Sequence, residues 1–383
     1  MPMSTPLPSG YRPEAGPRNA TRRPFLRRWL VGGALVLAFL LGGAMLAFAV
    51  GASVEAQFAP WAVLMAVLPL AVVVPAFLWL DRLEAEPVSS LLVAFGWGAL
   101  VATAIALFFN TVAAAVIEAF GLDPEFYAAV FVAPVVEESA KGLGILVVWA
   151  MRRREFDGVL DGIVYAGIVA AGFAFAENIL YLGQALQEDG PEGLALTFVL
   201  RGVMSPFAHP LFTSCTGVGI GVAVVGRTPL RFLAPIAGWV LAVLLHGFWN
   251  AGSSFGFSGW IGSYLLVQVP VFVAAVCFAL WARRREDRLV AENLRFYASH
   301  GLFSPADLAM LRDARTRRAA LDRARQVGGR QARAAMRDFQ DDAVDLACLR
   351  ARYLRGRSGP EIAHEERELI DSVLRARRAF TGS

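Results

Sequence analysis

Apolar positions along the chain gather into eight long blocks separated by short polar punctuation. The blocks lie near 29–50, 60–80, 89–117, 126–150, 159–183, 204–225, 232–253 and 261–281. Each holds about 20 residues or more, the length a helix needs to cross a hydrocarbon core of ~30 Å. Backbone polar groups inside lipid must be satisfied within the segment, so blocks of this kind become helices. The pattern predicts an all-α, polytopic membrane helix bundle of about eight transmembrane helices, spanning 29–282. After Arg285 the pattern changes to charged and Ala-rich. Ser304 followed by Pro305 is a helix N-terminus signal, and Gly328/Gly329 and the stretch 356–360 punctuate further amphipathic helices. Residues 283–383 therefore read as a small cytoplasmic helical domain. The first 28 residues, rich in Pro, Gly and Arg, read as a disordered cytoplasmic tail.

Charge gives the blocks an orientation. Arginines cluster at Arg22–Arg28, Arg152–Arg154, Arg227/Arg231 and Arg283–Arg285, whereas the loops 51–59, 118–125, 184–192 and 254–260 carry neither Lys nor Arg. The excess of positive residues on cytoplasmic loops then puts both termini in the cytoplasm. The first block is longer than a signal peptide's apolar region and follows an extended leader, so it reads as an anchor. A composition that is 56% hydrophobic and 18% charged excludes a soluble protein of this length. The net charge of +4 sits beside membrane ends and in the last hundred residues, which argues against nucleic acid as a partner. Three cysteines without a CxxC pair argue against disulfides and thiolate metal sites. The Ala/Arg-rich bias points to a GC-rich bacterial genome and hence a bacterial plasma membrane.

Against this background a few ionisable residues stand out, because charge inside a bilayer is expensive and needs a partner or a task. The fourth block contains "APVVEESAKG", with Glu137, Glu138 and Lys141; Lys141 is the only lysine in the chain. It can reach Glu137 at i,i+4 and Glu138 at i,i+3. One ammonium neutralises one carboxylate and leaves the other over, a candidate general base. The alternative is an ion-pair staple between helices. Pro134 loosens the helix just before the pair. In the fifth block, "GFAFAENILY" sets Phe173 and Glu177 on one face beside Asn178. In the sixth, "RGVMSPFAHPLFTS" makes Ser205 the expected N-cap and puts His209 in the first turn that follows. In the seventh, "LLHGFWNAG" sets His246 and Asn250 at i,i+4. Counted from the external ends, His246 and Glu177 lie roughly 10 Å deep and Glu137 nearer 17 Å. One pocket can hold them all.

In order along the chain, "EESAK" (137–141), "FAFAE" (173–177), His209 and "HGFWN" (246–250) resemble the motifs EExxK, FxxxE, H and HxxxN of the PrsW family. This is a family of intramembrane proteases distantly related to the type II CAAX prenyl proteases. The resemblance covers about residues 75–281. It implies hydrolysis of a peptide bond in a membrane-anchored protein, of the kind exemplified by an anti-sigma factor. Two versions of the chemistry remain open. In one, His209, His246 and a carboxylate, Glu177 or Glu137, hold Zn²⁺ while a remaining glutamate takes the water's proton. In the other, Glu137 or Glu138 deprotonates water directly, and His246 and Asn250 stabilise the oxyanion. Lys141 keeps one glutamate ionised in both. A proton-coupled transporter would also use Glu, His and Lys at mid-depth. A non-catalytic scaffold would rely instead on a cytoplasmic partner of 283–383.

Overall fold

The computed structural model describes residues 23–80, 86–153, 156–226, 228–254, 256–312, 314–356 and 360–381. Each of the eight apolar blocks forms helix: α1 (Arg23–Ser53), α2 (Ala59–Leu80), α3 (Val88–Ala119), α4 (Ala133–Met151), α5 (Val159–Phe198), α6 (Ala208–Val225), α7 (Ala234–Ser253) and α8 (Gly256–Ser299). No strand occurs among the described residues. Six runs of chain are long and apolar enough to cross a membrane by length and composition, and one of them, Val159–Val225, contains both α5 and α6. α4 is not among the six; within its 19 residues lie Glu137, Glu138 and Lys141.

Three boundaries differ from the apolar pattern. The expected loop at 184–192 is largely helix, because nothing before Gly190–Pro191 breaks α5; only Gly190, at φ 66°, interrupts it. A left-handed φ of that size costs an L side chain energy and costs glycine none. α1 begins at Arg23, so residues 23–28 of the expected tail are helical, while residues 1–22 lie outside the described residues. α8 runs past Arg283–Arg285 to Ser299 without a break. Its sequence from Val271 to His300 has neither Gly nor Pro, and the helix stops only where Gly301 supplies a φ of 83°.

α5 is the centre of the membrane part. From Leu160 to Gly183 almost every residue is buried, with α2, α3, α4 and α6 packed around it. Small residues permit this: a Cβ at Gly162 would run into the Gly217 carbonyl of α6, and a Cβ at Gly217 into that of Gly162. Close backbone approach of this kind is how helices gain packing where no hydrophobic effect drives them together. Gly217→Val is expected to destabilise the protein by about 1–3 kcal/mol or more through overpacking. Thermal unfolding in detergent reads this, and an unchanged midpoint would disprove the contact.

A second core lies beyond the membrane helices. Leu294 and Tyr297 of α8 pack with Phe303 in the turn that follows and with Leu311, Phe339, Val344 and Val373 from the C-terminal helices α9 (Pro305–Leu311), α10 (Ala314–Leu354) and α11 (Pro360–Thr381). The Ser304 cap forms as expected: its hydroxyl accepts from the Asp307 amide at 3.1 Å, and Asp307 accepts from the Ser304 amide at 2.8 Å. The Gly328/Gly329 pair kinks α10. This core touches the membrane part at the start of α5, where Arg355 donates to the Asp157 carbonyl at 2.8 Å and Arg352 lies 3.6 Å from the Asp157 carboxylate.

Candidate active site

Three helices meet at Lys141. Its ammonium donates to Glu138 Oε1 at 2.8 Å and Glu137 Oε2 at 3.4 Å on α4, and lies 3.1 Å from His209 Nδ1 on α6. It also sits 4.0 Å above the Phe173 ring of α5. An ammonium has three hydrogens, and here it meets three acceptors. A buried charge so matched keeps much of what it loses in hydration. The i,i+3 and i,i+4 spacing read from "EESAK" is therefore used in both directions by one side chain.

The two glutamates are not equivalent. Glu138 is fully buried, and both its oxygens are engaged: Oε1 with Lys141 and with His246 Nδ1 at 3.1 Å, Oε2 with the Thr213 hydroxyl at 2.8 Å. Glu137 stands at the wall of a cavity of about 730 Å³, lined also by Glu177, Arg201, His209, His246 and Asn250. Its Oε1 accepts from Asn110 at 3.4 Å, and its Oε2 lies 3.7 Å from His246 Nε2. Glu138 and Lys141 are behind this wall and do not line it.

Each histidine is held by a carboxylate on one nitrogen. His209 Nε2 lies 2.9 Å from Glu177 Oε2, and His246 Nδ1 pairs with Glu138. Because Lys141 can only donate, His209 Nδ1 is an acceptor and the ring's proton is on Nε2. Phe212 stacks on His246 at 5.2 Å, and the two imidazoles are 5.0 Å apart, edge to face. Ligand atoms of Glu137, His209 and His246 all come within 4.8 Å of one another, so these three could hold a metal ion. Glu177 is not part of that trio; it bonds Arg201 as well as His209. Asn250 donates to the Ala129 carbonyl at 2.8 Å, tying α7 to the π-helical turn Ala128–Val132 that leads into α4. Pro134, in the first positions of α4, continues directly from that turn and has no N–H to offer its carbonyls, one of which Asn250 satisfies.

The α5–α6 connection departs from expectation. Val199–Met204 is π-helical, and Ser205 is not an N-cap; its hydroxyl donates to the Leu200 carbonyl at 2.6 Å, and α6 starts at Ala208. A π turn leaves carbonyls unpaired at its end, and Ser205 satisfies one of them. His209 does fall in the first turn of α6, as expected.

Residues 86–275 match the model of a family described as PrsW family intramembrane metalloprotease. Protease PrsW of Oceanobacillus iheyensis is 30% identical over 212 residues, which cover 55% of this chain and 90% of that protein. The chain belongs to the PrsW family. Protease PrsW of Geobacillus kaustophilus is 32% identical over 170 residues, 44% of this chain and 69% of the relative. That of Clostridioides difficile is 30% identical over 190 residues, 48% and 75% respectively. No solved structure matches significantly. As a PrsW relative the chain is a multi-pass membrane protease of bacteria. All seven residues singled out from the sequence lie inside the PrsW match, and residues 276–383 lie outside it.

The motifs did not reveal Arg201, Asn110 or Thr213. Arg201 had a signal available: it is the only Lys or Arg between Arg154 and Arg227, standing apart from every arginine cluster. Asn110 and Thr213 had none, since single polar residues on apolar helices are common.

Proposed function

We propose that this protein hydrolyses a peptide bond of a membrane-anchored protein within the bacterial plasma membrane, an anti-sigma-factor-like regulator being the kind of substrate the family suggests. The observation that carries this reading is Glu137: a carboxylate at the wall of a large intramembrane cavity, backed by a buried ammonium and faced by two oriented imidazoles. Eight crossings are supported by the two helices inside the Val159–Val225 run and by the mutual pairing of the charges on α4. An even number returns both termini to the arginine-rich side, with 283–383 as a cytoplasmic domain. The contact of Arg352 and Arg355 with Asp157, close to Arg152, agrees with that side.

Glu137 takes the proton of the attacking water, since Glu138 has no free oxygen to offer. Glu138 is a positioning residue that fixes His246 through Nδ1, and Lys141 balances the charge of the pair. Asn250, which lines the cavity one turn from His246 on α7, donates its second amide N–H to the oxyanion of the tetrahedral state. His246 instead gives its Nδ1–H to Glu138 and presents Nε2 toward Glu137.

A second reading is favoured by the mutual reach of Glu137, His209 and His246 and by the family's description as metalloproteases. Two His and one Glu form a recognised catalytic zinc set. The carboxylates Glu177 and Glu138 leave His209 Nδ1 and His246 Nε2 as the available nitrogens, the second-shell arrangement metal-ligating histidines adopt. These three residues would hold zinc, and Lys141 would give up its contact with His209 Nδ1. When bound, zinc supplies a water of lowered pKa and polarises the scissile carbonyl.

Terminal sequencing of membrane fractions tests the function: new termini in single-span proteins are expected with the wild type and absent without it. Elemental analysis separates the readings. About one zinc per chain, lost in His209→Ala/His246→Ala, is expected for the metal site; cleavage by metal-free protein leaves Glu137 as the sole activator.

A further inference from the structure

We infer that Arg201 is a positioning residue of the site, acting on His209 through Glu177. Arg201 lies in the π-helical turn Val199–Met204, on the segment that returns to the site after the α5 kink. Its guanidinium makes three contacts with one face of α5. Nη2 pairs with Glu177 Oε2, Nε donates to Asn178 Oδ1 at 2.8 Å, and the plane lies 4.1 Å over the Tyr181 ring. Glu177, Asn178 and Tyr181 are i, i+1 and i+4 on that helix, so a flat fork covers all three at once. An arginine does this and a lysine does not, because only the guanidinium is planar with donors at fixed angles.

The same Glu177 oxygen that Arg201 grips also receives His209 Nε2. The chain of contacts then continues from His209 Nδ1 to Lys141 and from Lys141 to Glu137 and Glu138. Glu177 is thus held by Arg201 at the same oxygen that meets His209, and its orientation fixes the ring of His209. Without Arg201, the Glu177 carboxylate is free to rotate, and His209 loses one of the two partners that orient it, the other being Lys141 at Nδ1. Partners of this kind are worth about 10–100-fold in metal affinity or activity when removed. The position explains why an isolated arginine stands apart from the clusters at the other membrane face, where the placement of positive charge would otherwise put it.

The chain has four histidines, so the full-length protein labelled with ¹⁵N-histidine in nanodiscs gives four imidazole pairs, assigned by replacing each histidine in turn. In the wild type His209 is expected to show a protonated Nε2 and a bare Nδ1. In R201Q the Nε2 resonance of His209 is expected to shift as its bond to Glu177 is lost, while Lys141 still holds Nδ1 bare, with His300 and His364 unmoved as evidence of an intact fold. E177Q should do the same, and R201Q/E177Q should do no more than E177Q alone. On the membrane substrate found by terminal sequencing, the R201Q rate should fall about 10–100-fold through kcat, with KM unchanged. A folded R201Q with unaltered His209 nitrogens overturns the inference, as does a double variant worse than E177Q. If R201Q does not fold, R201K, which keeps the charge and loses the fork, is read by the same spectrum. The cleavage readout rests on the hydrolytic reading above and the nitrogen spectrum does not, so a chain that never cleaves still tests Arg201.

Discussion

Glu137→Gln is expected to lower the rate of cleavage by roughly 10²–10⁴-fold and to leave the protein folded. The magnitude is that of losing a general base. The substitution is nearly isosteric, and the interactions it disturbs are long: an ammonium and an amide contact, each at 3.4 Å, and His246 Nε2 at 3.7 Å, at the edge of a cavity. Glu138→Gln has the opposite profile. That carboxylate takes donors from Lys141, His246 and Thr213 with no access to water. An amide in its place turns an NH₂ toward one of those donors and leaves a buried ammonium short of its counter-charge. The expected loss is about 3–5 kcal/mol of stability, with cleavage falling because less protein is folded. Cleavage assays beside thermal unfolding in detergent separate the two. If Glu137→Gln still cleaves at the wild-type rate, the assignment of the base is wrong.

Lys141→Met produces the second large effect. Methionine matches the length of the lysine stem but removes the buried ammonium that pairs with Glu138, at a side chain with no solvent exposure. Removing one partner of a buried pair costs about 3–5 kcal/mol, since the remaining charge stays uncompensated. Lys141→Met/Glu138→Gln removes both charges and should recover part of the loss, because neutralising both sides is cheaper than stranding one. Denaturant midpoints in mixed micelles check this. A single variant as stable as the wild type, or a double variant no better than the single, would show that the pair contributes nothing to the fold.

Much of this was legible in the sequence, for identifiable reasons. Hydrocarbon imposes a minimum length on apolar runs, so α1 to α8 could be located from the blocks. Intramembrane charge is scarce, so Glu137, Glu138, Lys141, Glu177, His209 and His246 could be picked out from among 383 residues. Which glutamate faces the cavity was not legible, because neighbouring residues on a helix differ by about 100° in direction and their surroundings come from other helices. The π turns at Ala128–Val132 and Val199–Met204 were equally hidden. They depend on backbone packing and carry no residue signature, so Ser205 looked like a cap. The helical stretch beyond residue 183 was missed through its polar residues, Gln184, Gln187 and Glu188; polarity marks where apolar burial ends, and a helix can continue past that point.

From Val269 to Ser299 α8 is a rod of 31 residues, about 46 Å long at the helical rise, with no glycine or proline to act as a hinge after Pro270. Its far end is embedded in the C-terminal core through Leu294 and Tyr297. Those C-terminal helices are fastened a second time, by Arg352 and Arg355, to Asp157 at the foot of α5. A body attached by a stiff lever and a separate strut has no pivot left. Any displacement of the C-terminal helices must therefore bend α8, break the arginine strut, or push on the base of the helix that carries Phe173 and Glu177.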